Sequence, residues 1–149
     1  MKRIATNKKA RYEYAVVEKI EAGIALMGTE VKSLREGKVT ITDTYALVEG
    51  DQLILRGLHI SPYSHTSQQD IEPRRDRKLL LHKKEIRRMI GKIREKGLTL
   101  VPLCLYFNER GLVKVELALA RGKKTYDKRR AIKDRDMARD LGRELKDKR

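Results

Sequence analysis

The strongest constraint on the fold of this chain is a set of three segment pairs in which apolar and polar residues alternate around a turn signal. The pairs are YEYAVVEKI with GIALM (12–27, turn Glu21-Ala22-Gly23), VTITDTYALV with QLILRGLHI (39–60, turn Glu49-Gly50-Asp51) and LTLVPLCLYF with LVKVELALA (98–120, turn Asn108-Glu109-Arg110-Gly111). A period of two places alternate residues on one face, as in half-buried strands joined into β-hairpins. We therefore predict six strands, with Pro102 marking an edge or a bulge in its strand.

Two helices are predicted between the hairpins. The first covers residues 30–36, where Thr29 can cap its start and Gly37 can supply a left-handed end. The second follows His82 and ends at Gly97, and its apolar residues recur at i, i+3, i+4 and i+7: Ile86, Met89, Ile90 and Ile93. Residues 61–76 are polar and contain prolines, which is typical of a loop.

The order of hairpin, short helix, hairpin, long helix and hairpin limits the architecture. Six strands with few helices cannot bury both faces of a flat sheet, so closure into a small barrel is the economical arrangement. A helix before the last strand pair matches the order of an OB-type barrel. We predict a mainly β fold: a small closed OB-type β-barrel of about six antiparallel strands with two flanking helices and a basic C-terminal tail.

Charge divides the chain into two parts. It carries 36 Lys and Arg against 21 Asp and Glu, a net charge of +15, and residues 121–149 hold 13 of those cations and 6 of those acids. This last segment has too few large apolar residues to offset the entropy of folding. We predict a barrel domain at 1–120 and a basic tail at 121–149 that is disordered when free and helical when bound.

The net charge also indicates a partner. A field of this size raises the local concentration of polyanions, and nucleic acid is the leading candidate. The alternative, a surface kept soluble by its charge, usually mixes the two signs. The aromatic residues are six Tyr and Phe107, which favours reading a folded RNA by shape and backbone over stacking of single-stranded bases. Arg77 and Lys78 either face phosphate or form a solvated entry to the second helix.

The sequence offers no catalytic or metal-binding signature. His59, His65 and His82 lack metal-ligand spacing, and the single cysteine, Cys104, lies in an apolar strand where a buried inert thiol is expected. No glycine-rich phosphate loop follows a strand, so we expect no cofactor and no enzymatic activity. One cysteine, no apolar run of ~18 residues and no signal-peptide core behind the basic start indicate a cytoplasmic protein.

Three long blocks, EAGIALMGTEVKSLREGK at 21–38, RKLLLHKKEI at 77–86 and ARGKKTYDKRR at 120–130, resemble the SsrA-binding protein family (small protein B, SmpB) of bacteria. NKKARYEY near the start and LTLVPLCLYFNERG at 98–111 extend the resemblance over nearly the whole chain. The resemblance implies an OB-type barrel that holds the tRNA-like domain of transfer-messenger RNA and accompanies this RNA to stalled ribosomes for trans-translation.

The same resemblance implies the partners. They are transfer-messenger RNA, the ribosome at the small-subunit decoding centre and messenger channel, elongation factor Tu with GTP, and alanyl-tRNA synthetase acting through the RNA. No membrane partner is implied, and we expect a monomer. The tail is implied to enter the empty messenger channel, with ribosome contacts at Lys123, Lys124, Tyr126, Asp127, Lys128, Arg129 and Arg130.

Carried over residue by residue, the resemblance implies an RNA-binding face that includes Asn7, Lys8, Glu21, Leu80 and Lys114. Further candidates for phosphate contacts are Lys32, Arg35, Lys38, Arg77 and Lys78. Asn7 would bond a base edge or a ribose hydroxyl, Lys114 would meet phosphate, and Leu80 would cover an unstacked base. Glu21 repels phosphate, so it would accept from a base amino group or orient a neighbouring cation.

Two other functions stay open from the sequence. One is a ribosomal structural protein with a basic tail, which would be present on all ribosomes rather than on message-depleted ones. The other is a hydrolase acting on RNA, which would cleave RNA in a metal-dependent assay with the purified protein.

Overall fold

The computed structural model describes residues 1–63 and 71–122. In chain order its elements are β1 (Lys2–Thr6), α1 (Lys8–Glu13), β2 (Tyr14–Ile24), α2 (Gly28–Arg35), β3 (Val39–Thr40), β4 (Tyr45–Glu49), β5 (Gln52–Arg56), β6 (His59–Ile60), β7 (Arg77–Leu80), α3 (Lys83–Lys96), β8 (Thr99–Phe107) and β9 (Val113–Gly122). The predictions for 64–70 and for the tail from residue 123 onward lie outside the described residues.

Six antiparallel strands close into a barrel in the order β8, β4, β5, β7, β2 and β9, and the pairing of β8 with β9 completes the ring. β1 pairs with β8 outside the ring, and β3 and β6 form a separate two-stranded sheet. The fold is mainly β, an OB-like small barrel with flanking helices, and it confirms the architecture predicted from the hairpin pattern.

Aliphatic side chains fill the barrel interior. β9 contributes Val115, Leu117 and Leu119, and β8 contributes Leu100 and Leu105. Full burial of one such side chain stabilises the folded state by about 1.5–3 kcal/mol. The core therefore rests on hydrophobic burial, without a disulfide.

The structure confirms both predicted helices. α2 begins at Gly28, two residues earlier than predicted, so Thr29 lies within its first turn and Met27 is at the N-cap instead. Gly37 beyond the helix has a φ of 72°. α3 ends at Gly97, whose φ of 63° is the left-handed conformation common after a helix C-terminus. The predicted apolar face of α3 packs on the barrel core. Within the described ranges, none of the helices combines the length and apolar character that a membrane crossing requires.

The first predicted hairpin is wrong. β2 runs through Glu21-Ala22-Gly23 without a turn, and its residues pair with β9 from Tyr14 to Gly23. The predicted turn is instead the point where β2 gains a second pairing partner. Gly23 and Ile24 pair with β7 there, in addition to the pairing of β2 with β9. Tyr12, predicted in a strand, lies in α1.

The second hairpin is correct at its turn, where β4 pairs with β5, but both of its predicted strands are interrupted. Asp43 breaks the first with a φ of 63°, and Gly57 breaks the second with a φ of 90°. A Cβ atom on Gly57 would lie 2.9 Å from the carbonyl oxygen of Asp43, so the two breaks contact each other. The close approach of the backbones at Asp43 and Gly57 separates β3 and β6 from the barrel strands. The alternation of apolar and polar residues does not indicate such an approach.

The third hairpin, β8 with β9, is confirmed, and so is the irregularity at Pro102. The pairing register shifts between Pro102 and Cys104, as expected where proline cannot donate to the ladder. Cys104 is buried, and burial raises the pKa of its thiol. These observations agree with the predicted inert thiol.

Candidate nucleic-acid interface

β7 has two chemically opposite faces. Arg77 and Leu79 point into the protein and are fully buried, whereas Lys78 and Leu80 point outward. Leu80 is 49% exposed although it is a large aliphatic residue. An exposed leucine next to an exposed lysine can cover an apolar ring while the cation meets an anion.

The strand registers align Leu80 with Gly23 and Lys114 on the same surface. Gly23 on β2 is paired with Leu80 on one side and with Lys114 of β9 on the other. Directly paired residues share a face of the sheet, so Leu80, Gly23 and Lys114 form one outward row. A Cβ on Gly23 would lie only 3.2 Å from the Leu80 Cβ, so the glycine leaves room for the leucine side chain.

A groove of about 270 Å³ lies along this row. It is called the Leu80 groove below, and its lining is Gly23, Ile24, Leu26, Val31, Leu80, Gly111, Leu112, Val113 and Lys114. Leu112 is 54% exposed beside it. The groove therefore combines an apolar wall with one ammonium group. This arrangement suits an unstacked base with its phosphate.

Glu21 lies two residues before Gly23 on the same outward face of β2 and accepts a hydrogen bond from the Tyr106 hydroxyl. Burial, and then the Glu21 carboxylate, raise the pKa of Tyr106. Tyr106 pairs directly with Lys114 on β9. Glu21 is itself exposed, so it has acceptor capacity beyond the bond from Tyr106. The sequence predicted Glu21 at this surface but not its tyrosine partner.

Arg77 is not on the surface. It is fully buried, and its guanidinium donates to Glu30 Oε2 through Nε at 2.7 Å, to the Leu58 carbonyl at 2.7 Å and to the Pro73 carbonyl at 3.0 Å. The predicted phosphate contact is therefore wrong for Arg77, because protein acceptors occupy its donors. The sequence does not reveal that Arg77 points inward, because Arg77 and its neighbour Lys78 are both cationic and equally polar.

Glu30, on α2, is 4% exposed and holds Arg77 together with Arg75, whose Nε donates to it at 3.2 Å. These three residues form the Glu30 cluster. Burial opposes ionisation of Glu30, but the hydrogen bonds from Arg75, the Met27 N–H and Arg77 outweigh it and hold the pKa of Glu30 below its ordinary value. The cluster joins α2 to the start of β7, so it fixes the strand that presents Leu80.

The predicted basic residues of α2 differ in their surroundings. The Lys32 ammonium lies over the Tyr63 ring, 5.5 Å from its centroid. Lys38, just beyond the helix, pairs with Glu36 at 3.0 Å. Arg35 is exposed one helical turn after Val31, which lines the Leu80 groove. Arg35 thus lies on the same side of α2 as Val31.

Asn7 is buried, at 4% exposure, and uses both ends of its side chain within the protein. Its Oδ1 accepts from the Ala10 N–H at 3.1 Å and caps α1, and its Nδ2 donates to the Pro102 carbonyl at 3.0 Å. Its own N–H donates to the Leu103 carbonyl at 2.7 Å. Asn7 thereby holds the bulge in β8, while the neighbouring Lys8 is exposed.

In the described ranges, no three His, Cys, Asp or Glu side chains are grouped so that they could hold a metal ion. The predicted tail residues from Lys123 to Arg130 lie outside the described residues. Sequence reasoning missed Gly23 and Tyr106, although a glycine inside an alternating strand is a recognised signal of close approach.

Comparison with known proteins gives a consistent result. The family model described as SmpB protein matches residues 4–147. The "SsrA-binding protein" of Moorella thermoacetica is 55% identical over 148 residues, covering 99% of this chain and 96% of the relative. That of Desulforamulus reducens is 56% identical over 147 residues, covering 99% and 91%. A solved structure described as "tmRNA-SmpB: a journey to the center of the bacterial ribosome" has a TM-score of 0.68 and 55% identity, covering 86% of this chain and 93% of that one.

Proposed function

Because the chain belongs to the SmpB protein family, we propose that it binds transfer-messenger RNA and takes part in ribosome rescue by trans-translation. The observation that carries this proposal is the family match, which spans both the barrel and the basic tail. Within the barrel, the Leu80 groove supplies the apolar wall and the cation that an RNA loop requires.

The Leu80 groove is the primary contact in this proposal. A base of the tRNA-like domain lies against Leu80 and Leu112, and its phosphate meets Lys114. Glu21, held by Tyr106, accepts a hydrogen bond from a base amino group. Apolar contact and a carboxylate acceptor select a base, whereas the ammonium binds any phosphate.

The remaining predicted residues divide by exposure. Lys8, Lys32, Arg35, Lys38 and Lys78 are exposed and supply further phosphate contacts. Asn7 and Arg77 act from inside the protein, because one holds the β8 bulge and the other holds β7. In this proposal they are positioning residues.

The basic tail, residues 121–149, is the second functional part of the proposal. Its charge attracts it to the messenger channel when no message fills it, and Lys123, Lys124, Lys128, Arg129 and Arg130 contact ribosomal RNA phosphates there. Tyr126 stacks on a base, and Asp127 lies within the same contact segment. The barrel binds the RNA, and the tail senses the vacant channel.

The proposal also includes partners and location. Elongation factor Tu with GTP and alanyl-tRNA synthetase act through the bound RNA, and the protein works as a cytoplasmic monomer. It is a binding protein rather than an enzyme, because binding and positioning are sufficient for this role.

The test compares two full-length variants that each lose five tail cations. One replaces Lys123, Lys124, Lys128, Arg129 and Arg130 by Gln, and its matched control replaces Lys133, Arg135, Arg139, Arg143 and Lys146. We expect both to bind the tRNA-like domain as the unmodified protein does, and the first to lose most nascent-chain tagging on stalled ribosomes. Loss of RNA binding and tagging together would contradict the division of labour, and so would equal loss of tagging in the two variants.

A further inference from the structure

One face of α3 presents a row of cations that no acidic residue in the described ranges pairs with. Its exposed residues Lys84, Arg87 and Arg94 follow the spacing i, i+3 and i+10, so they lie on one side of the helix, with Lys83 beside them. These four residues are called the α3 cationic face. Among the described residues none of the four has an acidic partner. Of the two acids on the helix, Glu85 accepts a hydrogen bond from the His82 N–H, and Glu95 lies one helical turn after Gly91.

The rest of α3 is already in use. Its apolar residues pack on the barrel core. Arg88 and Lys92 both bond Glu18 of β2, at 2.6 Å and 2.7 Å, and so attach the helix to the barrel. Neither the core nor the contact with Glu18 requires the α3 cationic face. Like charges at i, i+3 and i+4 also repel one another along a helix.

Gly91 lies at the centre of this face, seven residues after Lys84 and four after Arg87. Glycine is an unfavourable residue in a helix interior. A Cβ atom there would have no atom within 4 Å, so nothing in the described part of the chain requires its absence. A bare backbone between cations does, however, let a phosphate backbone approach the helix closely.

The α3 cationic face begins close in sequence to the Leu80 groove. Leu80 ends β7 and α3 begins at Lys83, so the first cations of the helix follow the groove within about 10 Å of extended chain. The helix has 14 residues and is therefore about 21 Å long. A nucleic-acid strand leaving the groove past Lys78 would meet this face next.

We propose that the α3 cationic face is a second phosphate-binding surface for the same RNA, contacting the backbone that extends from the Leu80 groove, with Gly91 as the point of closest approach. The inference rests on the proposed function. The RNA it contacts is transfer-messenger RNA, because α3 follows directly after the strand that presents Leu80 in the groove assigned to that RNA.

The first test measures binding of the isolated tRNA-like domain to full-length Arg87→Gln/Arg94→Gln at several salt concentrations. We expect roughly tenfold weaker binding and a salt-dependence slope lower by roughly 1.4–1.8, since each phosphate contact contributes about 0.7–0.9. The control, Lys19→Gln/Lys96→Gln, removes the same charge from β2 and from the opposite side of α3. It should retain the slope of the unmodified protein.

The second test uses Gly91. Gly91→Gln should weaken binding severalfold while raising the melting temperature by roughly 2–4 °C, because glutamine is a good helix former. Gly91→Ala, with a smaller side chain, should raise the melting temperature similarly and weaken binding less. A purely structural role for Gly91 predicts the opposite: lower stability with unchanged binding per folded molecule.

The outcomes separate this inference from the proposed function. If the unmodified protein does not bind the tRNA-like domain, both fail. If Lys114→Gln weakens binding but Arg87→Gln/Arg94→Gln behaves as its control, the groove stands and the α3 proposal is overturned. It is also overturned if the α3 variant binds the isolated RNA normally and loses only its association with ribosomes.

Discussion

The inner and outer faces of β7 use residue types in the reverse of their usual places. On the inner face Arg77 is fully buried, whereas on the outer face Leu80 is half exposed. Arg77 is stabilised by Glu30 and by backbone carbonyls, which replace the water it has lost. Leu80 has no such need for water, and Gly23 leaves it space beside the groove. The comparison teaches that the direction of a side chain decides its role more than its polarity does.

The largest expected effect is on the inner face. Arg77→Met leaves the buried Glu30 without one of its two arginine partners, and removal of one member of a buried ion pair costs about 3–5 kcal/mol of stability. Denaturant unfolding would measure this loss. Lys78→Met, one residue along the strand but exposed, should change stability by less than about 0.5 kcal/mol.

This pair of variants can break the comparison. Equal stability of Arg77→Met and Lys78→Met would mean that the Glu30 cluster does not hold β7. Retained stability together with weakened RNA binding in Arg77→Met would return Arg77 to the list of direct contacts.

The second effect concerns the outer face. Leu80→Ala removes apolar contact from the groove. The binding free energy lost with this apolar burial is about 1.5 kcal/mol, which corresponds to roughly tenfold weaker binding of the tRNA-like domain. Val17→Ala is the matched control, since Val17 is 56% exposed on β2 outside the groove. A titration that weakened equally for both variants would show a general effect of surface apolar area.

The same contrast explains what could be predicted from the sequence. Alternation and turn residues established the barrel, because hairpins and an amphipathic helix are local patterns. They did not establish the path of β2, since a strand that changes partner at Gly23 resembles two strands joined by a turn. Pairing between distant strands is not encoded in a short window of sequence.

The site was predictable in part for a related reason. The resemblance identified Glu21, Leu80 and Lys114, and their registers bring them to one surface. It could not separate Arg77 from Lys78, because orientation within β7 depends on Glu30, 47 positions away in sequence. The Tyr106 partner of Glu21 was missed for the same reason, as the two lie on different strands.

The third effect is a pH dependence of the inner face. The pKa of Glu30 is lowered in the folded state, so its contribution to stability is present above its ordinary value of 4.5 and is lost as the pH falls through the lower folded value. Each unit of lowering is worth about 1.4 kcal/mol. Glu30→Gln should therefore be less stable than the unmodified protein at pH 7, and the difference should narrow below pH 4.5.

Thermal unfolding between pH 7 and pH 3 would check this dependence. A gap between the two proteins that stays constant over the whole range would mean that folding does not change the pKa of Glu30. At pH values where both proteins remain folded, the affinity for RNA should not change as Glu30 becomes protonated.

The smallest expected effect is a difference in RNA binding between variants of Lys114 on β9 and Lys19 on β2. Lys114 lies at the groove without an acidic partner in the described part of the chain, whereas Lys19 is 3.9 Å from Glu116. Lys114→Gln should weaken RNA binding severalfold and lower the salt-dependence slope by roughly 0.7–0.9, as expected for one phosphate contact. Lys19→Gln should leave the slope unchanged, because an exposed ion pair contributes about 0–1 kcal/mol and no phosphate is assigned to it. Equal slopes for both variants would mean that the groove attracts RNA only through the net charge of the barrel, and the alignment of Lys114 with Leu80 would then have no role in binding.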